Sequence, residues 1–340
     1  MSAWTAADVP DQSGRTILVT GASSGLGLRT AEALAARGAA VLLGCRSMPR
    51  GERARAQVAE VATGPAPALV RLDLTDLGSV RTSAVTLTSS LRHLDVLVNN
   101  AGIMAPPLAR TAEGFESQFA TNHLGHFALT GLLLPALLRA PAPRVVTVSS
   151  VMHRMGRARW DDPNFEESRY RPWAAYGSSK LANLQFTFEL ARRAAATKLV
   201  AVAAHPGLAA TNLVPARTEA ATGTTAPAGE GRREASRPSL STRVTHLFAQ
   251  SDAQGALPQL YAATMPDVGP GDFWGPDGPF GARGGPTRTG AARTACGEAA
   301  ARRLWELSEE LTGVTYAGLT APPARPAPGA SRTRPRPSPT

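Results

Sequence analysis

From about Arg15 to Ala204 the chain alternates short, wholly apolar runs with longer stretches in which apolar residues recur every three or four positions. The first kind reads as a buried strand and the second as a helix with one covered face. Strands are expected at residues 16–20, 40–43, 69–72, 96–98, 144–148 and 199–202. Helices are expected from Leu28 to a stop at Gly38, then over 48–62, 76–91, 115–138 and 172–196, with Pro135 near the end of the fourth. Strands apolar on both faces and separated by helices imply a parallel sheet covered on both sides, a doubly wound α/β fold. Beyond Gly207 the regularity ends. A helix over 254–265, weakened by Pro258, a last strand and turn at 273–276 and a helix over 298–311 remain. Residues 215–241 are rich in Ala, Thr, Gly and Arg and are expected to be mobile, and the Pro/Arg-rich stretch 321–340 to be disordered. The expected organisation is one domain over 1–320, interrupted by an insert at about 212–245, and a tail.

Composition narrows this picture in three places. With 340 residues, 43% of them hydrophobic, the chain can bury one large core. No uninterrupted apolar run reaches membrane-spanning length, and the N-terminus lacks a signal-peptide layout, so a cytoplasmic setting is expected. Cys45 and Cys296 match no metal or disulfide spacing, and no metal is expected. The net charge of +10 suggests nucleic acid, but its distribution argues otherwise. Many of the arginines fall in the insert and the tail, with no interleaved aromatic residues to stack on bases. Lysine occurs only at 180 and 198 in a chain that otherwise uses arginine. That fits a position needing a compact ammonium on a flexible stem.

The candidate chemistry lies at strand ends. Thr20-Gly21-Ala22-Ser23-Ser24-Gly25-Leu26-Gly27 follows the first strand and opens a helix. Glycines there let the backbone approach a pyrophosphate and aim helix N–H groups at it. The second strand ends in Gly44-Cys45-Arg46 with no acid to take a ribose hydroxyl, and Arg46 can pair with a 2′-phosphate, which favours NADP(H) over NAD(H). Tyr176 and Lys180 stand one helical turn apart on one face. An ammonium so placed favours the phenolate and is expected to lower the tyrosine pKa, making it an acid/base near neutral pH. His123 and His126, three apart, have no Cys or carboxylate beside them and are not read as a metal site.

These residues stand in the order found in the short-chain dehydrogenase/reductase family, with Asp73-Leu74, Asn99-Asn100-Ala101-Gly102, Ser150 and Pro206-Gly207 completing the pattern. The segments Asn122-His123-Leu124-Gly125-His126-Phe127, Ser179-Lys180-Leu181-Ala182-Asn183 and Arg302-Arg303-Leu304-Trp305-Glu306-Leu307-Ser308 resemble the retinol dehydrogenase-like branch. The resemblance, over about 15–313, implies a Rossmann-type fold and interconversion of an alcohol and a carbonyl. It implies Tyr176 as acid/base, Lys180 on the nicotinamide ribose, Ser150 on the substrate oxygen and Asn122 on a proton-relay water. Ser150 is preferred to Ser149, its neighbour facing the other way. Cofactor contacts are implied for Gly21, Ser23, Ser24, Gly25, Leu26, Gly27, Arg46, Asp73, Leu74, Asn99, Ala101, Gly102, Tyr176, Lys180, Pro206, Gly207 and Thr211. The segment after Thr211 is implied to be a lid over a fairly apolar small-molecule substrate, and a homodimer or homotetramer is implied as the assembly. The competing reading is a non-catalytic dinucleotide sensor or partner-binding protein on the same fold. It is disfavoured because Asn122, Ser150, Tyr176 and Lys180 are all present.

Overall fold

The computed structural model describes residues 4–208 and 250–320. Thr211, the insert at 212–245 and the tail at 321–340 therefore lie outside the described residues. The strands are β1 (Thr16–Thr20), β2 (Ala40–Cys45), β3 (Ala68–Arg71), β4 (Val96–Asn99), β5 (Arg144–Val148), β6 (Val200–Ala204), β7 (Phe273–Pro276) and β8 (Pro286–Arg288). They form one sheet in the order β3-β2-β1-β4-β5-β6-β7-β8. Every pairing is parallel except β7 with β8. The chain runs outward from β1 to β3, then returns beside β1 as β4. Such a reversal splays the two loops that leave β1 and β4 and opens a crevice at their carboxyl ends.

Side chains alternate across the sheet as the pleat demands. Ile17, Val19, Val96, Val98, Val146 and Val202 point to one layer, with α1 (Gly25–Ala35), α2 (Met48–Val61) and α8 (Leu257–Thr264) covering them. Leu18, Leu97, Val145 and Ala201 point to the other, under α3 (Leu77–Ser90), α5 (Gly125–Leu138), α6 (Pro172–Arg193) and α9 (Glu298–Thr312). Asp76 starts α3 by accepting the N–H groups of Gly78 and Ser79, satisfying donors that a helix start leaves free. No helix among the described residues is long and apolar enough to cross a membrane.

Three expectations are corrected. The helix foreseen over 115–138 is a single turn, α4 (Ser117–Phe119), then a π-helical turn at Ala120–Leu124, then α5. The extra residue in that turn re-aims Asn122, and apolar periodicity is blind to it. Pro135 stays inside α5, where the buried packing of Leu133, Leu134, Ala136 and Leu137 outweighs the lost backbone bond. The helix foreseen over 254–265 is broken at Ala256 into α7 (Asp252–Gly255) and α8, because Pro258 has no N–H to give and is accommodated only in a first turn. The chain also adds the antiparallel edge strand β8.

Candidate active site

A cavity of about 330 Å³ lies at the carboxyl ends of β1 and β4. Its floor is the glycine turn. Gly21 is at φ +67°, and a Cβ there would sit 2.8 Å from Ala101 Cα, so the two loops meet backbone to backbone. A Cβ on Gly27 would lie 2.5 Å from the Gly21 carbonyl oxygen, so α1 can only seat against the turn with glycine there. The result is a bare backbone cradle at the start of an eleven-residue helix, with peptide N–H groups and the positive end of the helix directed at the cavity. A dinucleotide pyrophosphate fits that cradle.

Around it the cavity gathers Ser23, Ser24, Gly25, Leu26, Arg46, Asp73, Leu74, Ala101, Gly102, Tyr176, Lys180 and Pro206, all foreseen from the sequence. Asn99 is not on its lining. It is buried at the end of β4, donating through Nδ2 to Thr130 Oγ1 at 3.0 Å. Gly207, at φ +69°, donates its N–H to His205 Nδ1 rather than lining the cavity.

Lys180 is 4% exposed, and its Nζ donates to the Val148 carbonyl oxygen at 3.1 Å. Burial pulls its pKa down to about 8. Its Nζ lies 5.9 Å from the centre of the Tyr176 ring. Tyr176 is 5% exposed, and burial raises its pKa, opposed by a hydrogen bond from the Ser150 hydroxyl. The expected lowering of the tyrosine pKa by lysine is therefore not what this protein shows by itself. Desolvation of the phenolate outweighs an ammonium that is both distant from the ring and itself weakened by burial.

The two serines differ in partner, and it is Ser149 whose atoms reach the cavity lining. Ser149 turns its hydroxyl into the Lys180 carbonyl oxygen at 2.7 Å, while Ser150 is the one bonded to Tyr176. Asn122 is fully buried in the π-helical turn. Its Oδ1 accepts the Ile103 N–H at 2.8 Å, and its Nδ2 donates to the Ile103 carbonyl at 3.0 Å and to Ser179 Oγ at 2.9 Å. It thus joins the loop after β4 to the helix that carries Tyr176 and Lys180. The loop is braced again by Gln118, which accepts the Ala105 N–H and donates to the Tyr170 hydroxyl.

Sequence reasoning passed over Arg50. Arg50 stands one turn after Arg46 at the start of α2, lines the cavity and donates to Ser24 Oγ at 3.1 Å. The signal was present, since Arg46 and Arg50 are spaced i, i+4 with Ser47 between them and no acid in the stretch. His153 follows Ser150 and is a candidate to line the pocket on sequence, but an expected loop position is poor evidence by itself. It is buried, with Nδ1 2.6 Å from the Ser150 carbonyl oxygen, and it accepts the Ala292 N–H through Nε2. Trp173 is half exposed and meets Tyr176 edge-on with ring centres 6.3 Å apart. Trp274 and Trp305 are core, as is Cys45, whose pKa burial raises to about 11.

A nucleotide cradle at a switch point, closed by a buried tyrosine, serine and lysine, defines an alcohol–carbonyl oxidoreductase of the nicotinamide-dependent kind. The comparisons agree. The short chain dehydrogenase family matches residues 15–222. Mouse retinol dehydrogenase 14 is 38% identical over 317 residues, covering 88% of this chain and 86% of the relative. Among solved structures, an uncharacterized protein from Mycobacterium paratuberculosis is 43% identical with a TM-score of 0.74, covering 93% of this chain and 99% of that one. A short chain dehydrogenase from Shigella flexneri, complexed with NADP, is 28% identical with a TM-score of 0.50 over 59% of this chain and 80% of its own. The chain belongs to the short chain dehydrogenase family, in its retinol dehydrogenase-like branch.

Proposed function

We propose that this protein is an NADP(H)-dependent oxidoreductase that interconverts an apolar aldehyde or ketone and its alcohol, with Tyr176 as the acid/base. The observation that carries the proposal is the placement of Tyr176 and Lys180 on the same cavity as the glycine cradle, with the Ser150 hydroxyl bonded to Tyr176. NADPH, when bound, supplies the hydride. The chain's own residues do the rest. The Ser150 and Tyr176 hydroxyls are two donors fixed where a carbonyl oxygen gains negative charge, and such preplaced donors need no reorganisation as the charge develops. Tyr176 then gives its proton to that oxygen. Its raised pKa keeps it protonated before the substrate arrives, which suits reduction. Lys180 keeps its amine 5.9 Å from the centre of the Tyr176 ring, and Asn122 keeps the surrounding loop and helix in register.

Preference for NADP(H) rests on Arg46 and Arg50, two guanidinium groups on the rim of the cavity, with Ser24 and Ser47 beside them and no carboxylate at the end of β2. A 2′-phosphate pairs with such a cluster, whereas an unphosphorylated ribose gains little from it. A retinoid-sized apolar carbonyl is the leading substrate class, because the relatives bear the name retinol dehydrogenase and because half-exposed Trp173 and Leu208 give apolar surface near Tyr176 and Pro206.

The test is oxidation of NADPH by the purified protein over a panel of apolar aldehydes and ketones that includes retinal, beside Tyr176→Phe. Turnover in the parent and its loss by about a thousandfold or more in the variant is the expected result. Tight NADPH binding without turnover on any carbonyl would instead favour a nucleotide sensor. Failure to bind either nicotinamide dinucleotide would sink the proposal.

A further inference from the structure

His126 lies on the first turn of α5, outside the cavity, and is 1% exposed. Both of its ring nitrogens are engaged. Nδ1 is 3.0 Å from the Asn122 carbonyl oxygen, and Nε2 is 2.8 Å from Thr20 Oγ1. A carbonyl can only accept, so Nδ1 carries the proton. In the neutral ring, Nε2 is then a bare acceptor and the Thr20 hydroxyl must donate to it. Thr20 Oγ1 also receives the N–H groups of Asn100 at 2.9 Å and Ala101 at 3.0 Å, which use its lone pairs. Its alternative acceptor, the Val98 carbonyl oxygen at 3.3 Å, is the more distant one. Every proton in this chain of bonds is thereby assigned.

The chain of bonds joins two halves of the site that no backbone ladder connects. On one side stand Thr20, the last residue before the glycine turn, and Asn100-Ala101, whose close approach to Gly21 makes the floor of the cradle. On the other stands the π-helical turn that aims Asn122 at Ile103 and Ser179. We propose that His126 is a positioning residue that couples these halves through separate nitrogens. Nε2 sets the cradle and hence cofactor affinity, and Nδ1 sets the Asn122 turn and hence turnover. The inference rests on the NADP(H)-dependent oxidoreductase reading for both halves.

The two nitrogens can be replaced one at a time. Glutamine places an acceptor near the position of Nε2, asparagine places a donor near that of Nδ1, and phenylalanine keeps the ring and offers neither. NADPH affinity of the full chain is read by its fluorescence on binding, and kcat on the best carbonyl of the panel. His126→Phe is expected to raise the NADPH Kd at least tenfold and lower kcat at least tenfold. His126→Gln is expected to restore the Kd to within threefold while kcat stays low, and His126→Asn to do the reverse. Should His126→Phe fail to fold, the Gln and Asn pair carries the test alone. Thr20→Val, by removing the hydroxyl, is expected to raise the Kd as His126→Asn does, with no further rise when the two are combined. An unchanged Kd and kcat in His126→Phe overturns the proposal. So do Gln and Asn variants that move both quantities together, since a residue that merely fills space would produce no split. Absence of NADPH binding by the parent chain would count against the oxidoreductase reading instead.

Discussion

The two layers over the sheet are built from different materials. The layer under α1, α2 and α8 is packed with Ala, Val and Leu, and its aromatics, buried Trp274 with partly buried Tyr261 and Trp4, meet one another at its edge. The layer under α3, α5, α6 and α9 is centred on Phe127, Phe186, Trp305 and Tyr316, whose rings meet at 4.5 to 6.4 Å. It also buries Asn122, His123, His126, Lys180, Asn183, Gln185 and Glu189. Small residues let α1 approach the glycine turn and form the cradle, which is a backbone device. A lysine, an asparagine and histidines cannot be taken from water cheaply, and each is buried only because a partner meets it. Glu189 is held by Arg192 and Arg193, and Arg193 in turn lies over the Trp305 ring at 4.5 Å. One layer therefore binds by shape, and the other holds charge and protons in fixed places.

That contrast can be broken most sharply at Lys180. Lys180→Met should lower kcat/KM by about a thousandfold or more, while the urea midpoint stays level or rises, because the variant removes a buried cation. A large loss of stability would mean the lysine serves packing rather than chemistry. The next largest effect compares the layers directly. Phe127→Ala should cost about 3–5 kcal/mol and Leu260→Ala about 2–5 kcal/mol in chemical denaturation. Only the first should also lower kcat per folded molecule, since Phe127 packs beside His123 and follows His126 in the chain.

A third prediction uses acid. Burial pulls His123 to about 3, His126 to about 4 and His205 to about 4, so all three stay neutral in the folded protein at pH 5. Unfolded, they would take up about three protons there. Since the unfolded state binds more protons, stability falls as pH drops from about 6.5 towards 4, and the denaturation midpoint followed against pH should show it. A flat profile would mean water reaches these rings. The smallest effect belongs to the rim of the cradle. Arg46→Ala should raise the KM for NADPH about tenfold and leave that for NADH nearly unchanged, as expected for one lost charge-assisted pair.

Much of the fold was legible because its signal is local. Runs such as Ile17-Leu18-Val19 and Val96-Leu97-Val98 are apolar on both faces, and glycines at 21, 25 and 27 announce a turn that approaches something closely. Tyr176 and Lys180 are one turn apart in any α-helix, so their shared face needed no tertiary information. The opposite holds for α5, whose apolar residues go all the way round and give no face at all. Nothing in such a helix marks the π-helical turn before it, since that turn depends on Asn122 finding Ile103 and Ser179.

By itself, then, the sequence determined a doubly wound sheet, a phosphate cradle after β1 and a tyrosine–lysine pair on one helix, because each depends on residues near one another in the chain. Only the tertiary structure decided which groups those residues meet. It gave the Ser149 hydroxyl to the Lys180 carbonyl and the Ser150 hydroxyl to Tyr176, brought Arg50 to Ser24, and set His126 between Thr20 and Asn122. It also decided the sign of the tyrosine's pKa shift. Spacing along a helix sets which side chains are neighbours, but the free energy of a charge depends on all the water that folding removes from around it.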